Sequence, residues 1–186
     1  RVGSAFVDSL QGRVGGRSVG SYAVVYPATF DFLAAAGGAN DASARVQYMM
    51  ANCPNTRLVL GGYSQGGAVA AYAANSGIAV PARYAEYASQ APKAMPAEVE
   101  PHVKAVVLFA PPSDRWIRDV GAPEMNVGPR YKPKTVTYCI AGDVVLALAA
   151  VCDEALERLG KAGITGAQTV HQAAFASLTR ARNAST

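Results

Sequence analysis

Apolar residues along the chain follow two patterns, and the first is the spacing typical of amphipathic helices. Apolar side chains at every fourth position over residues 2–14 predict a helix that ends at Gly15. Asn40, Asp41 and Ser43 are typical helix caps, so a second helix is predicted over residues 44–52. The same periodicity predicts a last amphipathic helix over residues 167–182.

The second pattern is the short continuous apolar run, which predicts buried strands. Such runs occupy residues 19–26, 56–60, 102–110 and 135–140. Residues 77–101 and 113–133 show little periodicity, and we interpret them as a long surface excursion and a loop. Strands separated by helices predict an α/β fold in which helices cover both faces of a parallel sheet.

One stretch combines both patterns around a serine. The strand over residues 56–60 leads into Gly62-Tyr63-Ser64-Gln65-Gly66, and an alanine-rich helix follows from Ala68. A strand, a tight turn with serine at its apex and a helix are the context that G-x-S-x-G requires in a nucleophilic serine. The alternative is a glycine-rich turn in which Ser64 only caps the helix.

Two residues are placed by the predicted strands at one edge of the sheet. Ser64 and Asp143 each follow a strand end, and the carboxyl ends of parallel strands meet at a common edge. This placement pairs a nucleophile with an acid, while the Gln65 N–H at the start of the helix is aimed at a developing oxyanion.

Composition and charge narrow the classes of function. The 186 residues fit one domain, and the net charge of +4 comes from scattered Arg and Lys rather than from a basic cluster with aromatics, so no nucleic-acid partner is expected. The longest apolar run, residues 144–151, is far shorter than the roughly 20 residues of a membrane span, so no stable membrane insertion is expected. Without a metal-ligand cluster or a phosphate-binding glycine loop, no cofactor is expected.

The chain has three cysteines, which is an odd number. Cys139 and Cys152 are close enough in sequence for a local bridge, whereas Cys53 has no evident partner. Three interpretations of Cys53 stay open: a thiol whose partner is missing, a free thiol, or a small buried hydrophobic residue.

Several motifs carry a resemblance to a known family. They are GSAFVDSL, GGRSVGSYAVVYPATFDF, NDASARVQ, CPNTRLVLGGYSQGGAV, HVKAVVLFAPPS and CIAGD, which cover most of residues 3–143. In these motifs the chain resembles the cutinase family, especially the cutinase-like serine esterases of mycobacteria and related actinobacteria. The resemblance implies a compact α/β-hydrolase with a central parallel sheet flanked by helices. It also implies secretion and hydrolysis of carboxylic esters, with Ser64 as nucleophile, Gln65 as oxyanion donor and Asp143 orienting the base.

The chain departs from the family pattern at its start and after the aspartate. The family begins with a cysteine-bearing strand and an R-G-T-like loop that supplies the second oxyanion donor and the usual partner of Cys53. This chain opens on Arg1, so we expect a single domain over residues 1–186 that is preceded in the natural protein by that strand. The family cysteine that closely follows the aspartate is absent, so the expected Cys139–Cys152 bridge encloses a longer loop than usual.

The third departure concerns the catalytic base, because no histidine stands about a dozen residues after Asp143, where the family has one. His102 opens a strand, and members of the family often carry a histidine without a catalytic role there. His171 is the only histidine after Asp143, as the Ser…Asp…His order requires. However, it directly precedes Gln172-Ala173-Ala174-Phe175, part of a helix that is similar to the family's last one, where this position is usually polar and not catalytic. Both roles for His171 stay open.

The leading hypothesis is therefore a secreted or cell-wall serine esterase that cleaves esters of lipids or other apolar acyl groups through Ser64, Asp143 and a histidine. Two alternatives remain: a catalytically impaired member of the fold that binds a lipid or a cell-wall component, and an acyltransferase that uses the same residues. The sequence does not distinguish oligomeric states.

Overall fold

A computed structural model describes residues 2–29 and 32–138 of the chain. Of these, residues 2–23 belong to one compact unit and residues 24–138 to another. The helices are α1 (Val2–Gln11), α2 (Phe32–Asn52), α3 (Gln65–Ala73) and α4 (Asp114–Asp119). The strands are β1 (Leu58–Tyr63), β2 (Val103–Phe109) and β3 (Thr135–Tyr138), and the described 3-10 helices are Ala82–Gln90, Ala97–Val99 and Lys132–Lys134.

The three strands form a parallel sheet in the order β1-β2-β3, as the alternation of strands and helices predicts. The register shifts once, between Leu58 and Val59, and then runs evenly to the carboxyl ends. There Tyr63 lies opposite Phe109, which in turn lies opposite Tyr138. All three strands therefore end at the same level, which defines one carboxyl edge of the sheet.

Helices α2 and α3 pack on the face of the sheet that presents Val106 and Leu108. Of the nine residues of α3, the seven from Gly67 to Ala73 are buried, and most of these are alanine. Small side chains all around the helix let it approach both the sheet and α2 closely, so that alanine methyl groups and the aliphatic strand residues share one core.

The strand predicted over residues 19–26 is not formed, because residues 17–25 adopt neither helix nor strand. Side chains satisfy backbone donors of this stretch where a neighbouring strand would otherwise do so. The Val19 N–H donates to Gln11 Oε1 and the Val25 N–H donates to Asp41 Oδ2, both at 2.9 Å. These two hydrogen bonds are made to side chains and not to a neighbouring strand.

The polar residues predicted as caps of the second helix lie instead in the middle of α2, which begins at Phe32. There they connect the helix to other segments and do not cap its start. Asp41 accepts the Val25 N–H, and Asn40 Nδ2 donates to the Gln90 carbonyl at 2.9 Å. Local sequence does not distinguish a capping side chain from one that makes such long-range ties, since both need a short polar group.

The two segments predicted as excursion and loop are more regular than expected. Met95 and Val99, within the excursion, belong to the main core. The predicted loop contains α4, which begins after Ser113, whose hydroxyl accepts the Trp116 N–H at 3.0 Å. This helix has only six residues and is therefore too short to show a periodic pattern.

The helix predicted over residues 167–182 lies outside the described residues. Within the described part of the chain, no helix combines the length and the apolar character needed to cross a membrane.

Candidate active site

Ser64 lies between the last residue of β1 and the first residue of α3, with φ 53° and ψ −121°. Non-glycine residues rarely adopt this region of backbone space, and holding one there costs about 1–3 kcal/mol. Such strain persists only where the surrounding structure imposes it, and it is found most often at functional sites.

Backbone hydrogen bonds on both sides hold Ser64 in this conformation. Its N–H donates to the Phe109 carbonyl at 2.9 Å, which adds a rung to the β1–β2 ladder beyond the end of β1. Its carbonyl accepts the N–H groups of Gly67 at 2.9 Å and Ala68 at 3.3 Å, which forms the first turn of α3. The residue is therefore fixed to the sheet through its nitrogen and to the helix through its oxygen.

The close passage of strand and helix requires glycine at position 62 and leaves little space for a larger residue at position 67. A Cβ on Gly62 would lie 1.9 Å from the Gly66 carbonyl oxygen, and one on Gly67 would lie 3.1 Å from Pro111 Cβ. Gly66 differs, because a Cβ there would meet no described atom within 4 Å. Contacts within the described structure therefore require Gly62 but leave room at Gly66, although both belong to the motif.

The Ser64 side chain makes no capping hydrogen bond to α3. The interpretation of Ser64 as a simple helix cap is therefore wrong, since a cap serine accepts an N–H of the first turn and adopts an extended backbone. The side chain is half-buried at the carboxyl edge of the sheet. A hydroxyl that is not engaged in capping is available for nucleophilic chemistry.

The carboxyl end of β3 lies at the same edge as Ser64. The Ala110 N–H donates to the Tyr138 carbonyl at 2.6 Å. This bond joins the ends of β2 and β3 in the same way as the Ser64–Phe109 bond joins the ends of β1 and β2. The Phe109 and Tyr138 rings stack with centroids 5.4 Å apart, and burial raises the pKa of Tyr138. Asp143 follows β3 in the sequence but lies outside the described residues, so its pairing with Ser64 stays a prediction.

Of the two histidines, only His102 is described, and it lies at the wrong end of the sheet. Its carbonyl accepts the Leu58 N–H at 2.9 Å, where β1 begins, whereas Ser64 lies beyond the end of that strand. At about 3.3 Å per residue, the length of β1 separates His102 from Ser64 by roughly 20 Å. His102 is therefore not the base, as expected, and His171 lies outside the described residues.

The described cysteine, Cys53, is exposed and carries a free thiol. The interpretation of Cys53 as a small buried hydrophobic residue is therefore wrong. Cys139 and Cys152 lie outside the described residues, so their bridge stays a prediction.

Gln65, the predicted oxyanion donor, opens α3, so its N–H is among the amides that have no acceptor within the helix. Its side chain makes a contact that sequence reasoning missed: Nε2 donates to the Thr29 carbonyl at 2.5 Å. The partners lie 36 positions apart, and no local pattern relates them.

Within residues 2–29 and 32–138, no three His, Cys, Asp or Glu side chains are grouped to hold a metal ion.

A parallel sheet with a strained serine between a strand and a helix, at the carboxyl edge, defines the α/β-hydrolase class of proteins. The Cutinase family model matches residues 1–174, and the chain therefore belongs to the cutinase family. This confirms the predicted family and the predicted α/β-hydrolase fold.

Similar proteins agree with this assignment. The probable carboxylesterase Culp5 of Mycobacterium tuberculosis is 44% identical over 140 residues, which are 75% of this chain and 78% of Culp5. The phospholipase Culp4 of the same organism is 42% identical over 150 residues, but these are 78% of this chain and only 58% of Culp4. A Trichoderma reesei cutinase solved in complex with a phosphonate inhibitor is 33% identical with a TM-score of 0.53, over 76% of this chain and 53% of that one. At the level of the family, these relatives confirm the predicted enzyme class, carboxylic ester hydrolase.

Proposed function

We propose that the chain is a serine esterase that hydrolyses carboxylic esters of lipids or other apolar acyl groups. The observation that carries the proposal is the backbone of Ser64, which is held in a strained conformation while its hydroxyl makes no capping bond. A purely structural serine would gain nothing from this strain, because glycine adopts the same conformation freely. A nucleophile gains exposure above the sheet.

The chemistry is a two-step acyl transfer to water. Ser64 Oγ attacks the ester carbonyl, an imidazole takes the hydroxyl proton, and the tetrahedral oxyanion forms near the Gln65 N–H. The same imidazole then protonates the leaving alcohol, and water hydrolyses the acyl-enzyme in the reverse sense. We assign Asp143 to hold the imidazole in the correct tautomer, and His171 is the candidate base because it follows Asp143 in the chain.

The names of the relatives support the substrate class. Culp5 is described as a probable carboxylesterase and Culp4 as a phospholipase, and both share over 40% of their aligned residues with this chain. The two names refer to carboxylic esters and to phospholipids, and we propose lipid or other apolar acyl esters as the substrates of this chain. We further propose that the protein is secreted or resides in the cell wall, as the Cys139–Cys152 pair would require an oxidising compartment.

Hydrolysis of p-nitrophenyl butyrate and labelling with a fluorophosphonate probe test the proposal together. The parent protein should turn over the ester and carry the phosphonate on Ser64, while Ser64→Ala should lose both. Ser89→Ala, which alters an exposed serine in the 3-10 helix Ala82–Gln90, is the matched control and should retain both. A folded parent without turnover and without a Ser64 adduct would overturn the proposal in favour of a binding protein of the same fold.

The role of His171 is tested in the same assay. If His171 is the base, His171→Ala should lower turnover by about 10⁴-fold or more, as loss of a triad member does elsewhere. An active parent with an unaffected His171→Ala variant would assign the base to another group. Transfer of the acyl group to an added alcohol in preference to water would identify an acyltransferase.

A further inference from the structure

The Gln65 side chain connects the start of α3 to a segment far away in the sequence. Its Nε2 donates to the Thr29 carbonyl at 2.5 Å. The backbone N–H of the same residue is the oxyanion donor in the proposed function. One residue therefore carries a catalytic amide and a side-chain tie to a different part of the molecule.

The acceptor belongs to a segment, residues 25–29, that is itself anchored. The Val25 N–H donates to Asp41 Oδ2 of α2 at 2.9 Å. The Tyr26 ring lies directly on α2, since a Cβ on Gly38 would be 2.9 Å from Tyr26 Cγ. The Thr29 N–H donates to the Pro27 carbonyl at 2.9 Å, which orders the turn that presents the Thr29 oxygen. The Thr29 carbonyl is therefore a fixed point and not the tip of a free loop.

We propose that the Gln65 carboxamide is a positioning residue for the oxyanion site, an inference that rests on the proposed function. Gln65 is the first residue of α3, so its own N–H is not held by an intrahelical bond. The Gly67 and Ala68 N–H groups hold the oxygen side of the Ser64–Gln65 peptide, but its nitrogen side has no bond within the helix, so a small rotation of this strained peptide would turn the N–H away from the substrate. A side-chain bond to the Thr29 carbonyl opposes that rotation.

A positioning role affects the rate of the chemical step, whereas a purely structural role affects the stability of the fold. An amide stabilises the oxyanion only when it points at the place where charge develops, so a small misalignment slows the chemical step without weakening substrate binding. The Gln65–Thr29 bond is solvent-exposed, so its loss should change the stability of the fold little. The expected signature is therefore a loss in kcat with little change in KM or melting temperature.

Gln65→Met tests the inference, because methionine has nearly the same length and shape and cannot donate the bond. It should lower kcat for p-nitrophenyl butyrate about ten-fold and leave KM within about two-fold of the parent. Tyr72→Phe is the matched control, since it removes another side-chain tie of α3, the bond from Tyr72 Oη to the Pro123 carbonyl at 2.6 Å. Tyr72 lies further along the helix, so this variant should lower the melting temperature and leave kcat unchanged.

Gln65→Glu makes the side-chain hydrogen bond to the Thr29 carbonyl dependent on pH. The ionised carboxylate cannot donate to the Thr29 carbonyl, whereas the protonated acid can. The ratio of variant to parent kcat should therefore rise as the pH falls through the carboxyl pKa, and below it Gln65→Glu should exceed Gln65→Met.

The outcomes separate this inference from the proposed function. An active parent whose kcat is unaffected by Gln65→Met, or a Gln65→Met variant altered only in KM or melting temperature, overturns the positioning role alone. A parent with neither esterase turnover nor phosphonate labelling of Ser64 overturns the proposed function and this inference with it.

Discussion

A Cβ atom on Gly62 would lie 1.9 Å from the carbonyl oxygen of Gly66, a separation that no real structure tolerates. The carboxyl end of β1 and the first turn of α3 therefore pass so closely that position 62 has room only for a hydrogen atom in place of a side chain. This close approach makes the turn at Ser64 tight, and the tight turn forces Ser64 into its strained conformation.

Gly62→Ala should therefore destabilise the fold by about 3 kcal/mol or more, because the obstacle is backbone and not a flexible side chain. Gly66→Ala is the matched control from the same motif, since its Cβ meets no described atom within 4 Å. In a helix it should be neutral or stabilising by up to about 1 kcal/mol. Urea unfolding of both variants measures the contrast, and similar losses in the two would contradict this account of the turn.

Ser64→Gly should stabilise the protein while abolishing the proposed activity. Glycine adopts φ 53° without strain, so the free energy of unfolding should rise by about 1 kcal/mol relative to Ser64→Ala. A helix cap predicts a different pattern, in which alanine costs about 1 kcal/mol relative to serine and glycine costs only a few tenths. Thermal unfolding of the parent and both variants distinguishes them: Ser64→Ala equal in stability to the parent, with Ser64→Gly above both, supports the strained nucleophile.

The elements that the sequence predicts well are those whose pattern is local. The strand predicted over residues 102–110 contains the aliphatic run Ala105-Val106-Val107-Leu108, and β2 occupies nearly the same span as the prediction. The turn at Ser64 is predicted because glycines and serine at fixed offsets have a local steric meaning. The parallel order of the strands follows from their alternation with helices.

The features that sequence reasoning missed depend on contacts between distant residues. Nothing near Asp41 indicates that its carboxylate accepts the Val25 N–H instead of capping a helix. The Gln65–Thr29 bond is likewise defined only once α3 and residues 25–29 are packed together. The stretch 19–26 has the β-branched composition of a strand, yet composition cannot show whether a partner strand lies beside it.

Cys139 and Cys152 should be bridged in protein prepared under oxidising conditions. A loop of this length would be stabilised by roughly 3 kcal/mol in the chain-entropy model. Peptide mapping without reductant should find the linked pair, and alkylation should find Cys53 free, as its exposed thiol indicates. Two free thiols at positions 139 and 152 would remove the bridge and the main support for an oxidising compartment.

An ion pair between Lys134 and Glu100 lies at the amino end of the sheet, away from Ser64. Lys134 Nζ contacts the Glu100 carboxylate and also donates to the Glu100 backbone carbonyl at 2.8 Å. The hydrogen bond from Lys134 is the main reason why the pKa of Glu100 lies below its ordinary value of 4.5. The positive charges of Lys134, Lys104 and Arg130 lower this pKa further, while partial desolvation opposes the change.

Acid should therefore weaken the fold through this pair, and Lys134→Met should remove most of that pH dependence. Because the folded-state pKa of Glu100 is depressed, its contribution is fully present above the unfolded value and is lost as the pH falls from about 4.5 through the folded pKa. Lys134→Met also loses the backbone hydrogen bond and the contact of Lys134 Nζ with the Tyr131 ring at 5.6 Å, so its absolute stability is a poor readout. The informative quantity is the slope of unfolding free energy against pH between about pH 3 and pH 5, together with the Glu100 carboxyl pKa from NMR titration.

Lys134→Met should show a higher Glu100 pKa and a shallower slope than the parent. Lys132→Met, which removes an exposed lysine of the same 3-10 helix, is the control and should match the parent in both. Equal Glu100 pKa values in the parent and Lys134→Met would show that the ion pair does not form in solution.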